Sequence, residues 1–283
     1  MLCTLPGRLI LVTAASIGVL GAPAALAQDA SEWDVDSHAA ARLIAGSKIK
    51  TGNATWLRAG VEIKLEPGWK TYWRMPGDSG VPPTLDFTGS ENVKSVTVEW
   101  PAPEKFPDGA GGHSVGYLGH IVLPLHVAPK DAAKDASLHL KLGYAICKNL
   151  CVPAEANLEL TLSGNGAEEP VLEQEELHVP RHVALGAAGG LSIRSIHREG
   201  SGDHGRIVIE VRAPEGAPVD LFVEGPTPDW SLPLPEQSDA TGDTRHFALD
   251  IDGVPPGAHV EGAMLTFTAV SGSDAIEVAT HLD

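Results

Sequence analysis

Two cysteines near the middle of the chain have the type and spacing needed for redox chemistry. Cys147 and Cys151 enclose the tripeptide Lys148-Asn149-Leu150. If this tripeptide forms a hairpin loop, the cysteines face each other across two strands, with about 5.5 Å between Cα atoms, which is within the range for a disulfide. After reduction, a thiolate of such a pair can attack a disulfide bond in another protein. The spacing therefore predicts a disulfide that can open and close locally.

A purely structural disulfide is the first alternative. In the chain-entropy model, closing a loop of about five residues stabilises a fold by only about 2 kcal/mol, against nearly 5 kcal/mol for a loop of about a hundred. The bridge between the sheets of an immunoglobulin domain also joins distant strands, with a tryptophan between the cysteines in sequence. A separation of four residues excludes that arrangement, so the position of the pair favours redox chemistry.

A metal site is the second alternative, because two thiolates can hold Cu(I). The other candidate ligands are dispersed along the chain: Met75, Met264, His113, His120, His126 and His139. No compact cluster of cysteine and histidine accompanies the pair, and we expect neither a metal site nor a cofactor.

Lys148 adds a local argument for redox chemistry. It follows Cys147 directly, and a nearby cation favours the thiolate that does the nucleophilic work in disulfide exchange. The spacing leaves open which of the two sulfurs attacks.

The tetrapeptide Gly77-Asp78-Ser79-Gly80 resembles the nucleophile segment of chymotrypsin-like serine proteases. Those enzymes place histidine and aspartate earlier in the chain, and His38 is too close to the serine for a complete first barrel to lie between them. We interpret the segment as a tight turn in which glycine supplies a positive φ.

Charge and the amino-terminal residues indicate the compartment. The 283 residues carry a net charge of −17, which argues against nucleic acid as a partner because phosphate contacts need clustered lysine and arginine. Residues 1–27 contain Arg8, an apolar run and the sequence Ala25-Leu26-Ala27, which is typical of a cleaved signal peptide. We expect an exported protein without stable membrane insertion.

Short β-branched or alternating runs separated by glycine and proline predict an all-β fold. Two segments have helical patterns instead, at 37–44 and 170–177. The predicted strands lie within Val61–Leu65, Val93–Trp100, Ile121–Val127, Leu138–Leu142 and Leu158–Leu162, and then within Leu191–Ile196, Arg206–Arg212, Val219–Val223, His246–Ile251, Met264–Val270 and Ala275–Thr280.

The distribution of these strands predicts two tandem β-sandwiches after the signal peptide. We place the first domain at 28–163, a linker rich in glycine, alanine and glutamate at 164–190, and the second domain at 191–283. The last range has five basic and 16 acidic residues, and no lysine follows Lys148. The second domain is therefore the acidic one.

Three segments together resemble one family, over about residues 35–165. The chain is similar there to the N-terminal periplasmic domain of the thiol:disulfide interchange protein DsbD and its relatives in the suppressor-of-copper-sensitivity system, ScsB. The similar segments are Gly68 to Gly80 (GWKTYWRMPGDSG), Gly116-Tyr117 with Leu123-Pro124, and Tyr144 to Pro153 (YAICKNLCVP).

The resemblance implies two tandem immunoglobulin-like β-sandwiches, the second of which is similar in layout to the tandem arrangement of the ScsB branch. In the first, it implies that Cys147 and Cys151 are the catalytic pair of a thiol:disulfide oxidoreductase of the protein-disulfide reductase type. Its implied partners are a periplasmic thioredoxin-fold protein, such as a disulfide isomerase, and a separate membrane electron donor. The alternative is a non-catalytic binding module, either a Cu(I)-binding copper tolerance protein or an adaptor with a structural disulfide. Where the family has an aromatic loop that shields the thiols, this chain has residues 108–113 (DGAGGH).

Overall fold

A computed structural model describes residues 1, 29–52, 54–200 and 205–282. The predicted signal peptide lies almost entirely outside these residues. Among the residues described, no helix is both long and apolar enough to cross a membrane.

The described chain is almost entirely β-structure, which confirms the predicted fold class. The first sandwich comprises β1 (Asp34–Asp36), β2 (Ala39–Thr51), β3 (Ala54–Leu65), β4 (Lys70–Gly77), β5 (Thr84–Asp86), β6 (Val93–Val98), β7 (Glu104–Pro107), β8 (His113–Leu118), β9 (His120–Pro129), β10 (Ala136–Cys147) and β11 (Cys151–Leu162). Helix α1 (Glu169–Glu176) follows. The second sandwich comprises β12 (Arg181–His182), β13 (Ser192–Glu199), β14 (Arg206–Arg212), β15 (Asp220–Glu224), β16 (Glu236–Thr241), β17 (Thr244–Asp250), β18 (Met264–Ser271) and β19 (Asp274–His281).

Each sandwich consists of two sheets around an aliphatic core. The first pairs a sheet of order β1-β2-β3-β9-β6 with one of order β11-β10-β4-β8-β7, in which β5 also pairs with β10. The second has the orders β12-β19-β18-β15 and β13-β14-β17-β16. Side chains along β11 alternate between exposed and buried, as expected of a strand with one face on the core and one in solvent.

The helix prediction for Ser37–Ile44 is wrong. These residues end the β1–β2 turn and begin β2, which pairs with β3 from Ala39↔Leu65 onward. The run of alanines favours a helix locally, but Leu43 lies in the core and Arg42 pairs with Glu62 across the strands at 2.6 Å. Tertiary pairing therefore overrides the local preference.

Residues 164–190, which the sequence suggests are a linker, include α1, which packs on the first sandwich, and β12, which pairs with β19 of the second. Leu172 is fully buried against Ile44 and Val122. The guanidinium group of Arg58 pairs with Glu169 and, at 2.9 Å, with Glu176. The helix is therefore attached to the outer face of the β1-β2-β3-β9-β6 sheet.

The two sandwiches meet along strands β4, β7 and β15. The rings of Trp73 and Phe222 pack edge to face with centroids 5.5 Å apart, and Phe222 joins the core of the first sandwich. Lys105 on β7 pairs with Asp220 on β15 at 2.9 Å. This ion pair joins β7 and β15, which are edge strands of their sheets.

Candidate functional site

The two cysteines lie at the closed end of a long, regular hairpin. Strands β10 and β11 pair without interruption from Ala136↔Leu162 to Cys147↔Cys151. The three residues between the cysteines form the loop, as the spacing predicts, and the sulfurs are joined in a disulfide. The Cα atoms are 4.2 Å apart, closer to the ~4.5 Å of a non-hydrogen-bonded pair than to the 5.5 Å expected.

The two cysteine residues differ in exposure. Cys147 is 7% exposed and packs with Tyr72 and Ala145. Cys151 is exposed, and the neighbouring side chain of Leu150 is 75% exposed. Of the two residues, Cys151 is therefore the more accessible to another protein.

A buried phenol contacts the exposed cysteine. The hydroxyl oxygen of Tyr72 lies 3.1 Å from the Sγ atom of Cys151. A disulfide sulfur carries no hydrogen, so the hydroxyl is the donor. Tyr72 is 4% exposed, and its burial raises the pKa of the phenol. The phenol therefore remains a neutral hydrogen-bond donor at physiological pH.

Strand β4 brings this phenol to the disulfide. It pairs with β10 through Thr71↔Ile146 and Lys70↔Cys147, and the Thr71 hydroxyl donates to the backbone oxygen of Ala145 at 2.9 Å. Residues directly opposite each other in a sheet share a face. Lys70 therefore lies on the same face as Cys147.

Two lysines lie near the disulfide, and only one was apparent from the sequence. The ammonium of Lys148 donates to the backbone oxygen of Pro67 at 3.2 Å, so it contacts the turn before β4. Lys70, the cross-strand neighbour of Cys147, donates to the Ser114 hydroxyl at 2.7 Å. Sequence reasoning missed Lys70 because nothing local indicates that β4 pairs with β10.

One loop covers the ring of Tyr72, and a second loop is bonded to the first. A Cβ atom at Gly80 would lie 2.7 Å from the Cδ1 atom of Tyr72, so the segment Gly77–Gly80 lies directly on the ring. Its backbone bonds to the loop at residues 108–113, where Asp78 N–H donates to His113 O at 2.8 Å and Ser79 donates to the Asp108 carboxylate at 2.9 Å.

The geometry of the two loops agrees with the predicted tight turn. Gly77 has a φ of 84°, which favours glycine. Asp108 accepts hydrogen bonds from the N–H groups of Ala110 and Gly112. Together with the bond from Ser79, these contacts lower the pKa of the Asp108 carboxyl. The loop at 108–113 is therefore organised by its own aspartate, although it contains no aromatic residue.

The candidate metal ligands are not assembled around the cysteines. His120 pairs with Glu62, His126 with Glu176 and Glu99, and His139 with Glu159. Across the described ranges, no group of three or more His, Cys, Asp or Glu side chains could hold a metal ion.

Comparison with known proteins finds a matching family model and a solved structure of similar fold. Residues 40–163 match the family model described as "Thiol:disulfide interchange protein DsbD, N-terminal". The N-terminal periplasmic domain of ScsB from Proteus mirabilis has a similar crystal structure, with a TM-score of 0.70 and 23% sequence identity, over 90% of this chain and 99% of that one. A search of curated proteins found no match. The resemblance found in the sequence is thereby confirmed: residues 40–163 match the DsbD N-terminal domain family, and the chain has the fold of the ScsB N-terminal periplasmic domain.

Proposed function

We propose that this chain is a periplasmic thiol:disulfide interchange protein, with Cys147 and Cys151 passing electrons to or from a thioredoxin-fold partner. The observation that carries the proposal is the asymmetric disulfide at the hairpin tip. Cys151 is an exposed residue whose sulfur accepts a hydrogen bond from Tyr72, and Cys147 beside it is buried. This is the arrangement that a two-step exchange needs.

In the reducing direction, the thiolate of Cys151 attacks one sulfur of the partner's disulfide. A mixed disulfide forms and the partner's other sulfur leaves as a thiolate. The thiolate of Cys147 then attacks the Sγ atom of Cys151, which restores the intramolecular disulfide and expels the partner's first sulfur. Two electrons pass to the partner, and its two thiolates take up the two protons that the cysteines released. The same steps in reverse accept electrons from a donor dithiol.

Tyr72 contributes to the first step. A hydrogen bond from its hydroxyl favours the charged form of the Cys151 sulfur, which lowers the pKa of a thiol. Lys70, on the face of Cys147, favours the thiolate that Cys147 becomes when it is the leaving group. The redox role belongs in this proposal to the first domain, 28–163, with 191–283 as a second domain that carries no cysteine.

A redox titration of the full chain tests the proposal. The protein is equilibrated with buffers of reduced and oxidised glutathione, and the fraction of Cys147–Cys151 disulfide is measured by alkylation and mass spectrometry. We expect a midpoint above about −300 mV, with unchanged β-sheet circular dichroism in both states. A midpoint below that value, or loss of β-structure on reduction, would instead identify the disulfide as structural.

A further inference from the structure

Strand β4 connects the disulfide to the second sandwich over a very short distance. Its ladder with β8 runs from Lys70↔Leu118 to Tyr72↔Gly116, then stops and resumes only at Gly77↔Ser114. The bulged stretch begins one residue after the tyrosine that contacts Cys151. Because a strand rises about 3.3 Å per residue, Arg74 lies only ~7 Å along the chain from Tyr72.

The second sandwich holds the start of this bulged stretch. Trp73 is fully buried and packs edge to face on Phe222. The guanidinium group of Arg74 binds both carboxylate oxygens of Glu224, with Nε–Oε1 and Nη2–Oε2 distances of 2.8 Å. It also bonds Glu277. Where β4 lacks backbone pairing with β8, side-chain contacts with β15 and β19 therefore hold it in place.

This contact is both buried and directional. The side chains of Arg74, Glu224 and Glu277 are 24%, 20% and 11% exposed. Burial alone would lower the pKa of Arg74, but the two carboxylates outweigh burial and raise it. A planar guanidinium that forms a bidentate pair fixes the direction of its side chain as well as its distance. The backbone of β4 at Arg74 is therefore held in one position.

We propose that the second sandwich positions the Tyr72 hydroxyl against the sulfur of Cys151 through strand β4, with Arg74 as the positioning residue. This inference rests on the proposed function, because the hydrogen bond matters only if Cys151 reacts. Hydrogen bonds weaken steeply beyond ordinary lengths. The Tyr72 hydroxyl and the Cys151 sulfur are 3.1 Å apart. A shift of β4 by about 1 Å is enough to lose this hydrogen bond.

The test is a titration of the Cys151 thiol in the full chain. Cys3 and Cys147 are replaced by Ser so that Cys151 is the sole thiol, and thiolate absorbance near 240 nm is followed against pH. Tyr72→Phe is expected to reduce the thiolate fraction at neutral pH about tenfold, the loss of one charge-assisted hydrogen bond. Arg74→Gln is expected to produce most of that loss. Arg74→Lys keeps the positive charge but cannot form the bidentate pair with Glu224, so it is expected to produce a smaller part of the loss.

Two further variants separate positioning from general loosening. Phe222→Leu removes the aromatic contact with Trp73 and leaves Arg74 in place, so it decides the question if Arg74→Gln does not fold. It should reduce the thiolate fraction in the same direction. Lys105→Met breaks the ion pair with Asp220 at the same interface but leaves β4 untouched, and it should have no effect.

The inference is overturned if Tyr72→Phe leaves the Cys151 titration unchanged. It is also overturned if Tyr72→Phe shifts the titration while Arg74→Gln and Phe222→Leu do not, or if Lys105→Met shifts it as much as they do. The midpoint against glutathione is measured on the unmodified chain, so failure of this inference leaves the proposed function standing.

Discussion

The two sandwiches share a layered architecture but differ in what their strands carry. In the first, strands of 12 residues bring a cysteine pair to a hairpin tip beyond the core. In the second, the strands have eight residues or fewer, and the range contains no cysteine. Its distinctive features are acidic charge and the contact with β4. The same fold class therefore supports chemistry only where a strand end presents a reactive group, and function has to be argued from that site.

The largest expected effect concerns which of the two cysteines of the first sandwich reacts with a partner. Cys147→Ser should trap a mixed disulfide between Cys151 and an oxidised thioredoxin-fold disulfide isomerase, because the resolving thiol is gone. Cys151→Ser should trap none, since Cys147 is buried. The adduct is detected by non-reducing electrophoresis and mass spectrometry. Equal trapping by both variants would show that burial does not select the reacting sulfur. Tight Cu(I) binding by the reduced protein without any adduct would favour a metal site.

The second prediction concerns which sandwich the segment at 164–190 stabilises. Leu172→Ala in the full chain should lower the free energy of unfolding by about 2–5 kcal/mol, because it leaves a cavity under α1. Leu177→Ala is the matched control at the end of the same helix, where the side chain is 81% exposed, and it should change little. Urea unfolding measures both. If Leu172→Ala cost no more than the control, α1 would be a connection and not part of the first sandwich.

The third prediction is a pH dependence of the same attachment. Burial raises the pKa of Glu169, but hydrogen bonds from the Ser47 N–H and from Arg58 outweigh it, so the net shift is downward. A carboxyl with a lowered folded-state pKa stabilises the fold above its unfolded value of about 4.3, and this stabilisation is lost as the pH falls through the folded value.

Urea unfolding between pH 6 and pH 3 checks this expectation. Glu169→Gln should reduce stability at pH 6 by about 1 kcal/mol and converge with the unmodified chain at low pH. Glu173→Gln is the control, since its side chain is 63% exposed and 3.4 Å from Arg58. Curves that stay parallel down to pH 3 would show that Glu169 does not carry the acid sensitivity.

The smallest expected effect belongs to the acidity of the second sandwich. Strand β16 is an exposed edge strand, and Glu236→Lys with Asp239→Lys should slow exchange with a basic partner about two- to threefold at low ionic strength. The difference should disappear at high salt because screening removes steering. Glu155→Lys on exposed β11 is the comparison in the first sandwich. Exchange rates are measured by stopped flow. If the β16 variants leave these rates unchanged, the acidic residues do not steer the partner and serve solubility alone.

Local pattern was sufficient for much of the fold and for the cysteine pair. Alternating runs located most of the strands, and the separation of four between Cys147 and Cys151 predicted the hairpin loop correctly. Alternation and short loops are properties of neighbouring residues, so they can be read directly from the chain. The helical interpretation of 37–44 failed because pairing with β3, which is not local, decides that segment.

The environment of the disulfide could not be read from the sequence. Tyr72 and Cys151 are 79 residues apart, and Arg74 and Glu224 are 150 apart. Which tyrosine or lysine reaches the sulfurs depends on β4 pairing with β10, and a shift of one residue in that register would turn Tyr72 to the other face. Only tertiary structure fixes such contacts.

The position of the disulfide at the closed end of an intact hairpin has a kinetic consequence. The other eleven of the twelve residue pairs between β10 and β11 all lie on one side of the S–S bond, so opening the bond breaks none of them, and the three-residue loop still holds the two cysteines side by side. The oxidised and reduced proteins are therefore expected to present nearly the same surface to a partner. In the proposed exchange, the oxidised protein then competes with the reduced protein for the same docking site, and the rate of electron transfer should depend on the ratio of the two forms as much as on the amount of the reduced one.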